Sequence, residues 1–289
     1  YTNTGVGRGM NLYYAKVNPK KLKYVSTYTA DRYGGDVSYG VLLSENSSLQ
    51  FGYGYQGLQL QSTGMVQQIQ NFAALYGRDF NQFRLNAGWN RNSYDQMPYP
   101  NQGMNQQARV MLALPLSHNS FNYYKTDYQA RIFYPITHGF IFTVLGNVAY
   151  GNTFDNNGLP FYENYFAGGI AQPGQVRGYE SYSLGPQDNL GNSLGANLLV
   201  NGNMGVILPY PLSRENVRTT VFADAGNVFV RGTPLALSGT DAGPLRYSAG
   251  VSVEWRSPFG PLQFSVAKAL NKQPTDQEQY FQFTLSSSF

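Results

Sequence analysis

The sequence predicts an all-β protein, a transmembrane antiparallel β-barrel of about twelve strands. Three observations predict this fold. Apolar and polar side chains alternate with a period of two along most of the chain, the apolar face of these segments carries almost no charge, and short connections alternate with longer ones. Strands of about ten residues with this alternation can cross a bilayer at a tilt.

The composition favours strands in a membrane over a soluble domain. Only 12% of the 289 residues are charged, about half the share of an ordinary globular domain. The high counts of Gly (32), Tyr (24) and Phe (18) indicate many strands, many turns and a large aromatic surface. No run of about 18 apolar residues is present, so no helix is expected to span a membrane.

Twelve segments show the alternation. In one of them, Leu49, Phe51 and Tyr53 alternate with Gln50 and Gly52. The polar positions are mostly Gly, Ser, Asn, Gln and Thr, which suits a water-filled lumen, whereas the apolar positions suit lipid. The segments are centred near residues 11, 39, 53, 86, 109, 129, 145, 201, 222, 251, 265 and 284.

The connections between these segments fall into two sets. The short set is 44–47, 94–103, 135–139, 209–216 and 257–260, and the longer set is 17–34, 62–79, 115–120, 152–194, 231–244 and 271–278. Because outer-membrane barrels have short periplasmic turns and longer outer loops, we expect the bacterial outer membrane, with the short turns and the C-terminus on the periplasmic side.

Two further structural expectations concern the loops and the alternative fold. Residues 65–76 are predicted to form a short helix within a longer loop. A soluble all-β protein such as a propeller is the alternative, but it requires a blade period of about 40 residues, which the sequence lacks.

The sequence lacks the motifs expected of a catalytic, metal-binding or nucleic-acid-binding site. The two histidines and the absence of cysteine leave no metal-ligand spacing and no thiol nucleophile. Lys and Arg are scattered rather than clustered. The sequence therefore predicts no enzyme, no cofactor, no metal and no nucleic-acid partner.

Several longer motifs carry a family resemblance. The chain contains PFYENYFAGG at 160–169, QVRGYE at 175–180, VFADAGNVF at 221–229, SPFGPLQFSVAKAL at 257–270 and YFQFTLSSSF at 280–289. In this order they resemble the outer-membrane protein assembly factor family. The resemblance implies folding and insertion of other β-barrel proteins by strand templating at a lateral seam. The implied partners are unfolded barrel clients, outer-membrane lipoproteins of the assembly machine and the lipid bilayer.

The resemblance also implies a site inside the barrel. In the family the V-R-G-F/Y tip folds back into the lumen, and its arginine meets lumen carboxylates. Here that tip is Val176, Arg177, Gly178 and Tyr179, and the implied partner of Arg177 is Asp224. A family glutamate aligns with Gly205, which leaves a two-carboxylate clamp in doubt. Glu254, which has lumen parity, is the substitute candidate.

The last strand has its own expected role. Phe281, Phe283, Leu285 and Phe289 share one parity, which predicts a lipid-facing face. The resemblance implies that this strand forms the seam and offers its backbone N–H and C=O groups to an incoming strand.

One feature departs from the family. The family barrel has sixteen strands and is preceded by periplasmic POTRA domains, whereas residues 1–289 form a single predicted barrel domain that contains the long 152–194 loop. We expect the first four strands and the POTRA domains to be missing. The chain is then either a fragment or a self-closing twelve-stranded barrel with an altered gate. A two-partner-type secretion pore of the same superfamily and a passive porin remain the functional alternatives.

Overall fold

The architecture is almost entirely β. The computed structural model describes residues 5–18, 23–61, 64–116, 120–155, 158–213, 216–232, 242–258 and 260–285. Within that part, no helix is long and apolar enough to cross a membrane. The twelve longer strands are β1 (Gly7–Val17), β2 (Ala30–Ser44), β3 (Ser47–Leu60), β4 (Asp79–Asn92), β5 (Gly103–Pro115), β6 (Tyr123–Pro135), β7 (Ile141–Thr153), β9 (Leu198–Ile207), β10 (Val217–Phe229), β11 (Arg246–Ser257), β12 (Gly260–Ala269) and β14 (Phe281–Thr284).

These twelve strands form one sheet. They pair in chain order from β1 to β7 and then through β9, β10, β11, β12 and β14. Every adjacent pair is antiparallel. The predicted all-β class, strand number and antiparallel arrangement are confirmed, because each of the twelve alternating segments lies on a strand of this sheet.

The two faces of the sheet differ as the alternation predicts. On β10, Val221 is exposed, whereas the adjacent Phe222 and Thr220 are buried. The outer face carries many large exposed side chains, including Phe51, Phe142 and Val251. Since period-two alternation places neighbouring residues on opposite faces, the outer face is apolar and the inner face carries most of the polar side chains.

The strand connections define two ends of the sheet. The turn side holds the short β2–β3 turn, and the loop side holds the long 154–197 connection between β7 and β9. On the loop side, helix α1 (Gln67–Tyr76) forms within the segment predicted to be helical, beginning two residues later than expected. Phe72 of α1 is fully buried and packs edge-on against Phe161 of the long connection, with ring centroids 5.0 Å apart.

A second, two-stranded sheet lies against the inner face. It consists of β8 (Gly178–Tyr179) and β13 (Glu278–Gln279), which pair antiparallel. The long connection also contains a 3-10 helix, Phe161–Glu163. Neither short strand was expected from the sequence, because a two-residue strand has no detectable period.

The connection between β4 and β5 contacts two distant strands, β10 and β11. Tyr99 is buried, and its hydroxyl donates to the backbone oxygen of Glu254 on β11 at 3.3 Å. Arg218 of β10 donates to the backbone oxygen of Pro100 at 2.8 Å. This turn therefore reaches across the turn side of the sheet to two distant strands, which its expected role as a simple short turn did not include.

Candidate functional site

The long 154–197 connection folds onto the inner face of the sheet. Its buried apolar side chains share one core with inward-facing side chains of the strands. From the connection these are Leu159, Tyr165, Ala167, Val176, Tyr179, Leu184 and Ala196, and from the strands they are Ala113, Tyr123, Ala149, Leu199, Val228 and Ala269. Burial of this apolar surface holds the connection inside the sheet rather than in solvent.

Arg177, at the tip of this connection, is bound to Asp224 on β10. The guanidinium Nε donates to Asp224 Oδ2 at 2.8 Å, and Nη2 donates to Oδ1 at 2.7 Å. The backbone N–H of Arg177 donates to Oδ2 at 3.0 Å. Both side chains are buried. A bidentate salt bridge of this kind is stronger and more directional than a single hydrogen bond.

The rest of the guanidinium is enclosed by two inner-face side chains. Nη1 donates to Ser252 Oγ on β11 at 3.3 Å. The guanidinium carbon lies 3.2 Å from the centre of the Phe222 ring, a cation–π arrangement. Arg177 therefore contacts two neighbouring strands at once.

Glu254, the other candidate partner, lies two residues after Ser252 on β11 and lines the same cavity as Arg177. It is paired in register with Arg218. Among the described residues it is not one of the hydrogen-bond or ion-pair partners of Arg177. The structure brings together Arg177 and Asp224 and leaves Glu254 nearer the turn side.

Gly205, at the position where the family glutamate aligns, lies next to the Phe222 ring that contacts Arg177. It lies opposite Phe222 on β10. A Cβ at Gly205 would meet Thr220 Cγ2 at 2.7 Å and the backbone oxygen of Val221 at 3.0 Å. A side chain there would be crowded, and the Phe222 ring beneath the guanidinium supplies the second contact.

The other three tip residues, Val176, Gly178 and Tyr179, hold the tip against the inner face of the sheet. Val176 is fully buried and packs close to Gly226, where an added Cβ would lie 2.8 Å from Val176 Cγ2. Gly178 has a φ of +88°, a conformation that favours glycine. The hydroxyl of Tyr179 lies 3.2 Å from the backbone oxygen of Tyr247, to which it donates. Burial, followed by the nearby Asp276 carboxylate, raises the pKa of Tyr179 to about 12.

A second charged centre holds the other end of the connection. Glu163 is buried and lies among three cations from three strands. Its carboxylate is 3.2 Å from Lys125 Nζ on β6, 3.6 Å from Arg32 Nη2 on β2 and 3.7 Å from Arg84 Nη2 on β4. Lys125 also donates to the backbone oxygen of Glu163 at 2.8 Å.

The charge state of Glu163 follows from this setting. Burial alone would raise the pKa of its carboxyl, but Lys125, Arg84 and Arg32 outweigh burial and lower the pKa from 4.5 to about 2. The carboxylate is thus ionised at neutral pH. The connection is held to β2, β4 and β6 by Glu163 and to β10 and β11 by Arg177, so it spans the inner face.

The terminal strand presents the expected apolar face. Phe281, Phe283 and Leu285 are 56%, 61% and 66% exposed. Phe283 stacks on Phe264 of β12, with ring centroids 6.5 Å apart. Phe289 lies outside the described residues. β14 is the last strand in the order of the sheet.

Two further residues of the site were not singled out from the sequence. Glu163 lies within the PFYENYFAGG motif, but its three partners are far apart in the chain. Gln282, which alternates with Phe281 and Phe283 and therefore points inward, is 3% exposed and contacts the loop tip. Among the described residues, no group of three or more His, Cys, Asp or Glu could hold a metal ion.

The chain is similar to outer-membrane proteins along its whole length. The family model of the Omp85 superfamily domain matches residues 1–289. The outer membrane protein assembly factor BamA of Neisseria meningitidis serogroup B is 30% identical over 331 aligned residues, which cover 100% of this chain and 40% of that protein. BamA of Neorickettsia risticii is 30% identical over 118 residues, covering 40% of this chain and 16% of that protein. The chain spans less than half the length of either relative.

Solved structures show the same barrel fold. BamA from Haemophilus ducreyi lacking POTRA domains 1–3 superposes with a TM-score of 0.85 at 27% identity, covering 98% of this chain and 59% of that one. CdiB from Escherichia coli superposes with a TM-score of 0.60 at 11% identity, covering 96% of this chain and 48% of that one. The second likeness shows the fold alone.

Proposed function

Since this chain belongs to the Omp85 superfamily, we propose that it is the barrel of an outer-membrane protein assembly factor, which folds other β-barrel proteins and inserts them into the bacterial outer membrane. The short turns and the C-terminus would then face the periplasm. The activity involves no covalent chemistry. Its partners would be unfolded barrel clients, the lipoproteins of the assembly machine and the bilayer itself.

The observation that carries this proposal is that the long connection is folded onto the inner face and fixed there. Arg177 and Glu163 fix it to opposite groups of strands, and an apolar core lies between them. A passive porin needs a water-filled channel. A buried, charge-paired connection supports an assembly factor over a porin.

The terminal strand supports the mechanism of strand templating. Among the described residues β14 ends the strand order of the sheet and pairs with β12 on one side. Lipid strongly penalises unpaired backbone groups. An incoming client strand would therefore gain stability by pairing with the edge of β14, which lowers the barrier to its folding in the membrane.

Depletion of the full-length protein in its source cell tests the function. The readout is the folded, heat-modifiable fraction of the resident porins. We expect that fraction to fall broadly on depletion and to recover when the wild-type gene is restored. If the porins fold normally and one secreted protein disappears from the medium, the protein is a secretion pore. If only ion flux changes, it is a porin.

A further inference from the structure

Gln282 of the terminal strand is bonded directly to the loop tip. Its Nε2 donates to the backbone oxygen of Tyr179 at 2.8 Å and to Gln279 Oε1 at 2.9 Å. Its Oε1 accepts from the backbone N–H of Gly178 at 3.3 Å. The side-chain amide thus uses both of its donor hydrogens and one acceptor. Two of these three bonds join Gln282 to the tip, and both are buried while the tip is in place.

The chain around Gln282 changes partner between the tip and the main sheet. Gln279 is paired with Gly178 of the tip, and Glu278 with Tyr179. The next residue, Tyr280, already accepts a hydrogen bond from the backbone N–H of Ala267 on β12 at 2.9 Å. The same short segment therefore belongs to the ladder with the tip and to the edge of the barrel.

The tip also lies against the strand that holds β14. A Cβ added at Gly178 would be 3.3 Å from the Ala267 side chain and 3.3 Å from the backbone nitrogen of Ala269. The tip thus contacts both β12 and the start of the terminal segment. The tip therefore adds contacts to the terminal segment beyond its pairing with β12.

We propose that Gln282 is a positioning residue that couples the bound state of the loop tip to the position of the terminal strand. While Arg177 is bound to Asp224, Gln282 and β13 hold the terminal segment inward. When the tip withdraws, these bonds break and β14 becomes free to open the seam. The purpose of this coupling rests on the proposed assembly function, whereas the coupling itself is a property of the fold.

Amide hydrogen exchange of the full-length protein in detergent micelles tests the coupling without any client. The readout is the exchange rate of a peptide covering 280–285, and a peptide from β6 serves as the internal reference for global unfolding. Gln282→Leu removes the bonds to the tip at similar volume. We expect it to raise exchange in the terminal peptide at least about tenfold, because three buried hydrogen bonds are lost.

Arg177→Ala separates coupling from a local role. If Gln282 acted only locally, this variant would not change the exchange of residues 280–285. It lies far along the chain from β14, yet we expect it to raise exchange in 280–285 by a similar factor. In the Gln282→Leu background it should add little, because the connection between tip and strand is already broken. Asp224→Leu, which removes the other partner of the ion pair, replaces Arg177→Ala if that variant fails to fold.

Gln263→Leu is the matched control. Gln263 is also a buried glutamine on the inner face, in the strand next to β14, and it contributes none of the bonds to the tip given above. We expect it to leave exchange in 280–285 unchanged. Unchanged exchange in Arg177→Ala and Asp224→Leu, or multiplicative effects in the double variant, would overturn the coupling. The proposed assembly function would still stand if depletion of the protein lowers the folded fraction of the porins.

Discussion

Arg177 and Asp224 are joined by three hydrogen bonds, one of which comes from the arginine's own backbone N–H. The carboxylate therefore fixes both the side chain and the main chain of the tip. Removing one partner would leave the other charged and buried, and such losses cost about 3–5 kcal/mol.

A double-mutant cycle should show that these two residues act together. We expect Arg177→Met and Asp224→Leu each to destabilise the barrel, and the double variant to lose less than the sum. The coupling energy should exceed about 0.5 kcal/mol. Urea unfolding of the full-length protein in micelles, followed by the heat-modifiable band, measures each free energy. Purely additive losses would show that the pair is not coupled.

Glu163 should make the free energy of unfolding of the barrel depend on pH below 4.5. The folded-state pKa is lowered from 4.5 to about 2, so the stabilisation is fully present above pH 4.5 and is lost as the pH falls towards 2. A shift of this size corresponds to about 3 kcal/mol. The measurement is the urea midpoint between pH 7 and pH 2.

Glu163→Gln separates this carboxyl from the others that titrate in the same range. The variant should be less stable at pH 7, and its stability should fall less between pH 4.5 and pH 2 than that of the wild type. Parallel curves for the two proteins would mean that Glu163 does not supply the pH dependence.

Arg218 should hold the β4–β5 turn across the turn side. Its guanidinium donates to Pro100 and Asn101 and lies 4.9 Å from the centre of the Tyr99 ring. We expect Arg218→Ala to speed amide exchange in residues 94–102 and to cost about 1.5–3 kcal/mol, the usual value for hydrogen bonds to a charged group. Arg109→Ala, at an exposed position on β5, is the control and should change neither. Equal exchange in both variants would contradict the role of Arg218.

Gly205 should resist substitution because of Thr220. An added Cβ would lie 2.7 Å from Thr220 Cγ2, so Gly205→Ala should destabilise the barrel by about 1–3 kcal/mol. Thr220→Ser removes that methyl group and should restore part of the loss. Urea midpoints of the two single variants and the double variant test this. Without any restoration, the crowding must come from the backbone of Val221 instead.

The strands were predictable because their signal is local. Alternation such as Leu49 to Tyr53 needs no knowledge of the partner strand, and every predicted segment lies on a strand. The helix at 67–76 was visible for the same reason. By contrast, β8 and β13 exist only because the tip meets the terminal segment, and no local pattern encodes that meeting.

The site was predictable only in part. The motif resemblance pointed to Arg177 and Asp224, which the structure brings together. Glu163 was missed because its partners Arg32, Arg84 and Lys125 lie on three separate strands and converge only in the folded sheet. The reach of the β4–β5 turn to Arg218 has the same cause, since it depends on which strands face each other.

Photo-crosslinking from the terminal strand tests the central claim most directly. A photoreactive amino acid at Phe283 of the full-length protein, expressed in its source cell together with a barrel client whose folding is arrested, should crosslink to that client. Phe142 on β7 is the control, because it also faces outward but lies within the wall of the sheet. Crosslinks from Phe283 and few from Phe142 are the predicted result. Absence of client crosslinks at Phe283, or equal yields at both positions, would contradict strand templating at this seam.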